Sequence, residues 1–103
     1  MKKKYAAAEV GDEPLLIRLD PGAAQARVDA GLARWLDVRL VSEYEQGHFP
    51  GSRNLPLRLL RAKAAILERD LLHICVCDSG RRSAVAAYLL TQRGYSAAVL
   101  ASR

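Results

Sequence analysis

The chain has 103 residues, of which 50% are hydrophobic and 26% are charged, and its formal net charge is +5. This length holds one globular domain, and no apolar run approaches the ~20 residues that a membrane-spanning helix needs. No signal-peptide pattern is present, so the sequence predicts a cytoplasmic protein without a membrane partner.

Positive charge is spread along the chain rather than concentrated in a nucleic-acid site. Lys2, Lys3 and Lys4 form a basic start that we interpret as solvated, and the other basic residues are mostly scattered arginines. Because aromatic residues do not alternate with them, nucleic-acid binding is not expected, and a positive field would instead favour anionic ligands or acidic protein partners. We expect one domain within residues 1–103, with residues 1–12 as a flexible or extended segment.

The first part of the chain predicts a strand, a helix and a second strand. Residues 15–19 form an apolar run. Asp20 followed by Pro21 is a typical helix start, with Asp20 as the N-cap. The helix is expected to end at Gly31, and the next strand to cover residues 32–38.

Residues 42–68 are expected to return to the sheet through helical and turn segments. Ser42 is interpreted as the cap of a short helix that Gly47 ends, and His48 as a hydrogen-bonding turn residue rather than a base. The amphipathic stretch 57–68 predicts a helix that can break in two.

The second half of the chain shows a buried strand, a loop, a helix and a last strand. Residues 72–76 are almost continuously apolar, as in a strand covered on both faces of a parallel sheet. Residues 83–93 favour a helix that ends at Gly94, and residues 97–100 predict the last strand. This alternation predicts a single α/β domain with a central, mostly parallel sheet of about five strands flanked by helices.

The loop that begins at Cys77 has the composition of an anion site around a reactive cysteine. Backbone N–H groups before a helix, with Gly80 to bend the loop, form a concave anion site. The helix dipole together with Arg81 and Arg82 is expected to lower the pKa of the Cys77 thiol. Asp78 opposes this effect unless an arginine neutralises it. The alternative that composition leaves open is a small buried cysteine without chemistry.

Cys75 precedes this cysteine by two residues on the same strand face. The pair cannot easily form a disulfide and does not match a zinc pattern, which agrees with a reducing compartment and with no metal site. We assign Cys75 to the core, with a resolving thiol as the alternative.

Two motifs resemble the rhodanese homology domain. Its active loop reads Cys-x-x-Gly-x-Arg-Ser/Thr, and Cys77, Gly80, Arg82 and Ser83 occupy the four fixed places. LDVR at 36–39, EY at 43–44, GHFPGS at 47–52 and NLP at 54–56 are similar to the family's N-terminal signature. The resemblance covers roughly residues 20–100. It implies a rhodanese-like three-layer domain with helices on both sides of the sheet.

The resemblance also implies covalent sulfur transfer. The Cys77 thiolate would take sulfane sulfur from an anionic donor such as thiosulfate and pass it from a persulfide to cyanide or a thiol. The loop amides would stabilise the persulfide, and Arg81 or Arg82 would orient the donor. The implied loop that binds the donor consists of Asp78, Ser79, Gly80, Arg81, Arg82 and Ser83, with no metal or organic cofactor.

Two further acidic and basic positions complete the expected site. Asp37 is implied as a structural partner near the loop, and Arg39 is expected to pair with a carboxylate such as Glu43. In the loop itself, Arg82 is expected to balance charge and Ser83 to cap the following helix.

Three alternatives remain open at the level of sequence. Related phosphatases and arsenate reductases space cysteine and arginine as C-x5-R, whereas Cys77 and Arg82 are spaced as C-x4-R, which favours sulfur transfer. A sensory or interaction module could carry sulfur without turnover and report to a fused domain or protein partner. Because the family usually continues beyond the last strand, either the chain is a piece of a longer protein or its last segment is lost.

Overall fold

A computed structural model describes residues 16–101 of the chain. The segment expected at residues 1–12 lies outside the described residues. The strands are Ile17–Leu19 (β1), Ala33–Asp37 (β2), Arg53–Asn54 (β3), Leu72–Val76 (β4) and Ser96–Leu100 (β5). The α-helices are Pro21–Asp29 (α1), Val41–Glu45 (α2), Leu57–Lys63 (α3) and Arg81–Gln92 (α4). None of these helices is long and apolar enough to cross a membrane.

The five strands form one sheet in the order β1-β5-β4-β2-β3, and every neighbouring pair is parallel. The α/β prediction is therefore confirmed. Strand β4 lies in the middle of the sheet, as its continuous apolar sequence requires. Parallel strands bring their carboxyl ends to one edge, where α/β folds place ligands.

Two hydrophobic cores cover the two faces of the sheet. Helices α3 and α4 pack on the face that carries Cys75 and Cys77, through buried residues that include Leu60, Ala86, Ala87 and Leu90. Helix α1 packs on the opposite face, where Ala24 and Val28 contact a core with Trp35, Ile74 and Leu100. Side chains of one strand alternate between these cores because successive residues point to opposite faces.

Helix α1 begins and ends as its capping residues predict. The Asp20 carboxylate accepts a hydrogen bond of 2.8 Å from the Ala23 amide, and Pro21 is the first helical residue. Gly31 follows the helix with φ of 76°, a left-handed conformation that favours glycine. Local sequence signals are sufficient here because each cap interacts with its own helix.

Helix α2 begins differently from the prediction. Ser42 is not the cap, because the helix starts one residue earlier, at Val41, and Leu40 is the N-cap residue. Glu43 reaches back instead, and its carboxylate accepts a hydrogen bond of 2.9 Å from the Leu40 amide. A carboxylate in the first helical turn can accept a hydrogen bond from a free N–H group, just as a serine hydroxyl at the N-cap would.

His48 occupies the turn role that the sequence favours. Its Nδ1 donates to the Tyr44 carbonyl oxygen at 2.8 Å, and the two aromatic rings stack with centroids 3.6 Å apart. The predicted break after α3 is also confirmed, since the helix gives way to a short 3₁₀ turn at Ala64–Ile66.

Helix α4 begins before the predicted cap. Ser83 was expected to cap the helix, but the helix starts at Arg81 and its N-cap is Gly80. Gly80 has φ of 87°, and this left-handed conformation turns the chain from β4 into the helix. Ser83 lies in the first helical turn, where its hydroxyl donates to the Gly80 carbonyl oxygen at 3.1 Å.

Candidate active site

Cys77 follows β4 directly, at the carboxyl edge of the sheet. Its side chain packs with the first core, and the residue is 7% exposed. The next residues curve over this edge before α4 begins, so the thiol lies beneath the N-terminus of α4. This is the position that the sequence predicts for Cys77.

Three hydrogen-bonding groups converge on the sulfur of Cys77. The Gly80 amide donates to Sγ at 3.1 Å, and the Ser83 amide donates at 3.2 Å. The Ser83 hydroxyl oxygen lies 3.4 Å from Sγ, in line for the thiol to donate. When the thiol loses its proton, rotation of the same hydroxyl lets it donate to the sulfur instead. The site therefore accommodates both the thiol and the thiolate.

The pKa of Cys77 is lowered relative to an ordinary thiol. Burial by itself raises the pKa, but hydrogen bonds from the Ser83 side chain and from the amides of Ser83, Gly80 and Arg82 outweigh it. A thiolate at a helix N-terminus also gains from the partial positive charge of the helix dipole. The Cys77 thiol therefore loses its proton more readily than an ordinary thiol.

Cys75 lies in the core and differs sharply from Cys77. It is fully buried, and burial raises its pKa to about 12, with a smaller contribution from the charge of Cys77. Its Sγ contacts the His73 carbonyl oxygen at 3.9 Å. This thiol keeps its proton and has no access to solvent, so the core assignment fits better than a resolving thiol.

Arg82 is bound to a carboxylate on another helix. Its Nη1 and Nη2 donate to the two carboxylate oxygens of Glu43 at 2.7 and 3.0 Å. The Arg82 hydrogen bond is the largest cause that lowers the pKa of Glu43 to about 2, and the Leu40 amide adds to it. Glu43, the candidate partner suggested for Arg39, is therefore bound to Arg82, and only the broader prediction of a nearby carboxylate for Arg39 is confirmed.

Arg39 pairs with Asp37 instead. Its Nε donates to Asp37 Oδ1 at 3.0 Å and its Nη2 donates to Oδ2 at 2.8 Å, while Nη2 also reaches the Gly47 carbonyl oxygen at 2.7 Å. Its Nη1 lies 3.5 Å from the Asp78 carboxylate. Arg39 therefore offsets part of the Asp78 charge, and Arg82 in the loop also interacts with that charge.

Asn54 is a supporting residue to which sequence reasoning gave no role. Its side-chain amide donates to the carbonyl oxygens of Asp37 and Arg39, at 3.0 Å in each case. These bonds fix the backbone on both sides of Val38, just after β2. The NLP motif includes Asn54, but its hydrogen-bond partners depend on the register of β3 beside β2, which the sequence does not show.

A cleft of about 370 Å³ opens over Cys77. Asp78, Ser79 and Gly80 line one side, and Val99, Leu100 and Ala101 line the other, with Arg18 from β1. Arg81 is exposed and does not line this cleft; its amide donates to the Ser79 hydroxyl oxygen at 3.3 Å. The sequence did not indicate the lining residues from β1 and the end of β5. Among them is the charged residue Arg18, which was missed since a single arginine in a short strand carries no local signal.

The part of the chain from residue 16 to residue 101 contains no group of histidine, cysteine, aspartate or glutamate side chains arranged to hold a metal ion. A second cleft, of about 310 Å³, lies on the other side of Asp78 and is lined by Asp37, Arg39 and the segment from Gly47 to Pro50.

The family model of the Rhodanese-like domain matches residues 20–102, which is most of the chain. The chain belongs to the rhodanese-like domain family. A rhodanese-related protein from Thermoplasma volcanium has a similar structure, with a TM-score of 0.76 and 31% identity over 82% of each chain. The family resemblance read from the two sequence motifs is thereby confirmed.

Two curated relatives of the domain carry names from sulfur chemistry. YrkF of Bacillus subtilis, a proposed sulfur carrier protein, is 43% identical over 61 residues, which are 58% of this chain and 32% of YrkF. The thiosulfate sulfurtransferase PspE of Escherichia coli is 32% identical over 65 residues, which are 60% of this chain and 62% of PspE. The match thus spans less than two thirds of the length of either relative.

Proposed function

We propose that this rhodanese-like domain is a sulfurtransferase that carries sulfane sulfur as a persulfide on Cys77. The observation that carries the proposal is the convergence of the Gly80 and Ser83 amides on the Cys77 sulfur, at 3.1 and 3.2 Å. This arrangement lowers the pKa of the thiol and surrounds its sulfur with hydrogen-bond donors that stabilise a negative charge.

In the first step, the Cys77 thiolate attacks the outer sulfur of thiosulfate. A sulfur–sulfur bond forms to Cys77, the sulfur–sulfur bond of the donor breaks, and sulfite leaves with the bonding electron pair. The negative charge of the thiolate passes to the terminal sulfur of the persulfide. Backbone N–H groups at the start of α4 stabilise this charge, as they do in other oxyanion-type sites.

In the second step, cyanide or a thiolate attacks the terminal sulfur. With cyanide, a carbon–sulfur bond forms, the persulfide bond breaks, and thiocyanate leaves while Cys77 returns to its thiolate. The reaction is a two-step covalent transfer that consumes no oxidant. Arg39 and Arg82 support it indirectly, because their ion pairs hold Asp78 and α2 against the loop.

The first test measures the intact mass of the purified protein after thiosulfate treatment without reductant, and again after cyanide. Wild type should gain the mass of one sulfur atom and lose it when cyanide is added, with release of thiocyanate. Cys77→Ser should gain nothing, whereas Cys75→Ser, which leaves the Cys77 thiol in place, should behave as wild type. A folded wild-type protein that stays unmodified would contradict the proposal.

A module that carries or senses sulfur without turnover is the second candidate. It is favoured by the match to YrkF, in which the aligned part is only 32% of the relative, so a similar domain is one portion of a longer chain. Thiocyanate formed in large excess over protein would support the enzyme. A single release per Cys77, with no further cycles, would support the carrier.

A further inference from the structure

One arginine lines the cleft over Cys77, and it comes from the edge strand β1 rather than from the active loop. Leu16 packs against the core that contains Cys77 and Val99. Because side chains alternate along a strand, Arg18 lies on the same sheet face as Leu16. The cleft lining, which includes both Arg18 and Cys77, agrees with this alternation.

Strand register fixes how far Arg18 lies from the thiol. Arg18 is the partner of Val99 on β5, and Val99 is the partner of Cys75 on β4. Arg18 is thus two strands away from β4, roughly 10 Å across the sheet, with Cys77 one strand repeat nearer the carboxyl edge. An extended arginine side chain and a small anion together span such a gap.

Two of the other arginines near the site have carboxylate partners, and the third, Arg81, does not line the cleft. Arg82 is bound to Glu43, and Arg39 is bound to Asp37 and lies beside Asp78. Among residues 16–101, Arg18 forms no ion pair with a carboxylate. Its guanidinium group is therefore the cation in this cleft that is available to a ligand.

We propose that Arg18 binds the anionic group of the sulfur donor and sets a preference for small donors with two negative charges. The inference rests on the proposed sulfurtransferase function and names the donor class of the same site. Two planar N–H donors of a guanidinium match the oxygens of a thiosulfate-type group. The outer sulfur of that group is then directed along the cleft toward Cys77.

The first experiment compares two donors that deliver the same sulfur but differ by one charge. Persulfide loading by thiosulfate, with two negative charges, and by methanethiosulfonate, with one, is timed by mass spectrometry in wild type, Arg18→Gln and Arg18→Lys. Arg27→Gln removes an exposed charge from α1, outside the cleft, and serves as the matched control. Thermal unfolding confirms that each variant is folded.

Arg18→Gln should load thiosulfate roughly fivefold less efficiently, as loss of one exposed charge pair allows, with a smaller loss for methanethiosulfonate. The effect should lie in the half-saturating donor concentration rather than in the maximal rate. Arg18→Lys should recover part of the loss, and Arg27→Gln should match wild type. Equal losses in Arg18→Gln and Arg27→Gln would overturn the role of Arg18 and leave the proposed function intact.

A second experiment tests Arg18 without sulfur transfer. Cys77 is alkylated with anionic iodoacetate or neutral iodoacetamide, and the ratio of the two rates removes any change in thiolate population. The ratio should fall in Arg18→Gln and stay unchanged in Arg27→Gln, and high salt should reduce the difference. If wild type does not accept thiosulfate, the proposed function fails; an alkylation ratio equal in wild type and Arg18→Gln overturns the inference about Arg18.

Discussion

Cys75 and Cys77 are separated by one repeat of the same strand, yet their thiols have opposite electrostatic settings. Both side chains belong to the core on one sheet face. Burial raises the pKa of Cys75 to about 12, whereas hydrogen bonds lower the pKa of Cys77 in spite of burial. What separates the two thiols is the supply of N–H and O–H donors at the N-terminus of α4, not depth alone.

The Ser83 hydroxyl is the donor that can be removed without changing the backbone. In Ser83→Ala, the midpoint of the pH profile for Cys77 alkylation by iodoacetamide should move up, because the thiolate loses one hydrogen bond while both amides remain. In wild type, the midpoint should lie below the ~8.5 of an ordinary thiol.

Ser79→Ala is the matched control for this measurement. The Ser79 hydroxyl accepts from the Arg81 amide and is part of the same loop. Its removal should leave the alkylation midpoint near the wild-type value. A midpoint that is the same in Ser83→Ala and wild type would show that the hydroxyl does not stabilise the thiolate.

At the scale of elements, the contact between Arg82 and Glu43 joins α4 to α2. Glu43 also accepts a hydrogen bond from the Leu40 amide. One carboxylate therefore caps the start of α2 and binds Arg82 at the start of α4. The Glu43 side chain is 27% exposed, and water therefore screens part of the attraction. The geometric effect, which fixes the start of α4 relative to α2, does not depend on that screening.

Glu43→Gln should lower the thermal unfolding midpoint at neutral pH, and Glu45→Gln, an exposed change on the same helix, should not. Because the pKa of Glu43 is lower in the folded chain than in the unfolded chain, the unfolded chain binds more protons between these two values. The stability that ionised Glu43 contributes is complete above the ordinary glutamate pKa of about 4.3, and it is lost as pH falls toward 2.

Unfolding midpoints measured from neutral to acid pH test whether the stabilisation by Glu43 decreases as pH falls. The difference between wild type and Glu43→Gln should shrink as the solution becomes more acidic over that interval. A difference that stays constant with pH would indicate that the charge of Glu43 does not stabilise the fold.

Sequence patterns were sufficient for elements whose determinants are local. The bounds of β4 were predicted without error, because a continuous apolar run ends at the loop. Arg39 has a nearby carboxylate partner, as predicted, but that partner is Asp37 and not Glu43. A charged side chain has several possible partners within reach, and the sequence alone does not distinguish them. The partner of each charged residue depends on how α2 packs beside α4, since Glu43 and Arg82 are 39 positions apart in the sequence.

Arg18 illustrates the same limit at the site itself. Nothing near it in the sequence marks a residue that lines the cleft, and its place in that cleft depends on β1 pairing with β5 at one register. The active loop, in contrast, was predictable, because its residues are consecutive and its glycine and helix start are local features. Two details of the loop differed from the prediction: the helix cap is Gly80 rather than Ser83, and Arg81 does not line the cleft.

At the scale of the whole molecule, β4 connects the two cores. Ile74 and Val76 point into the core under α1, while Cys75 and Cys77 point into the core under α3 and α4. A loss of packing in one core should therefore destabilise the other core as well. Trp35, which stacks on Phe49 in the α1 core, is a natural reporter of that coupling.

Leu90→Ala removes a fully buried side chain from α4, on the face away from Trp35. It should reduce the free energy of unfolding by about 3 kcal/mol, through lost burial and the cavity left behind. Urea unfolding followed by Trp35 fluorescence and by circular dichroism should give the same lowered midpoint if the two cores unfold together.

Val85→Ala on the same helix is the matched control, since Val85 is 48% exposed and should change the midpoint little. Two separate transitions in Leu90→Ala, with Trp35 fluorescence unchanged in the first, would contradict a single cooperative unit.

The position of β5 has a consequence for synthesis of the protein on the ribosome. This strand is made after the other four, yet it is inserted between β1 and β4. Until residues 96–101 have left the exit tunnel, β1 has no neighbour in the sheet and the wall formed by Val99, Leu100 and Ala101 does not exist. A nascent chain therefore carries Cys77 before one wall of the cleft over this thiol has formed.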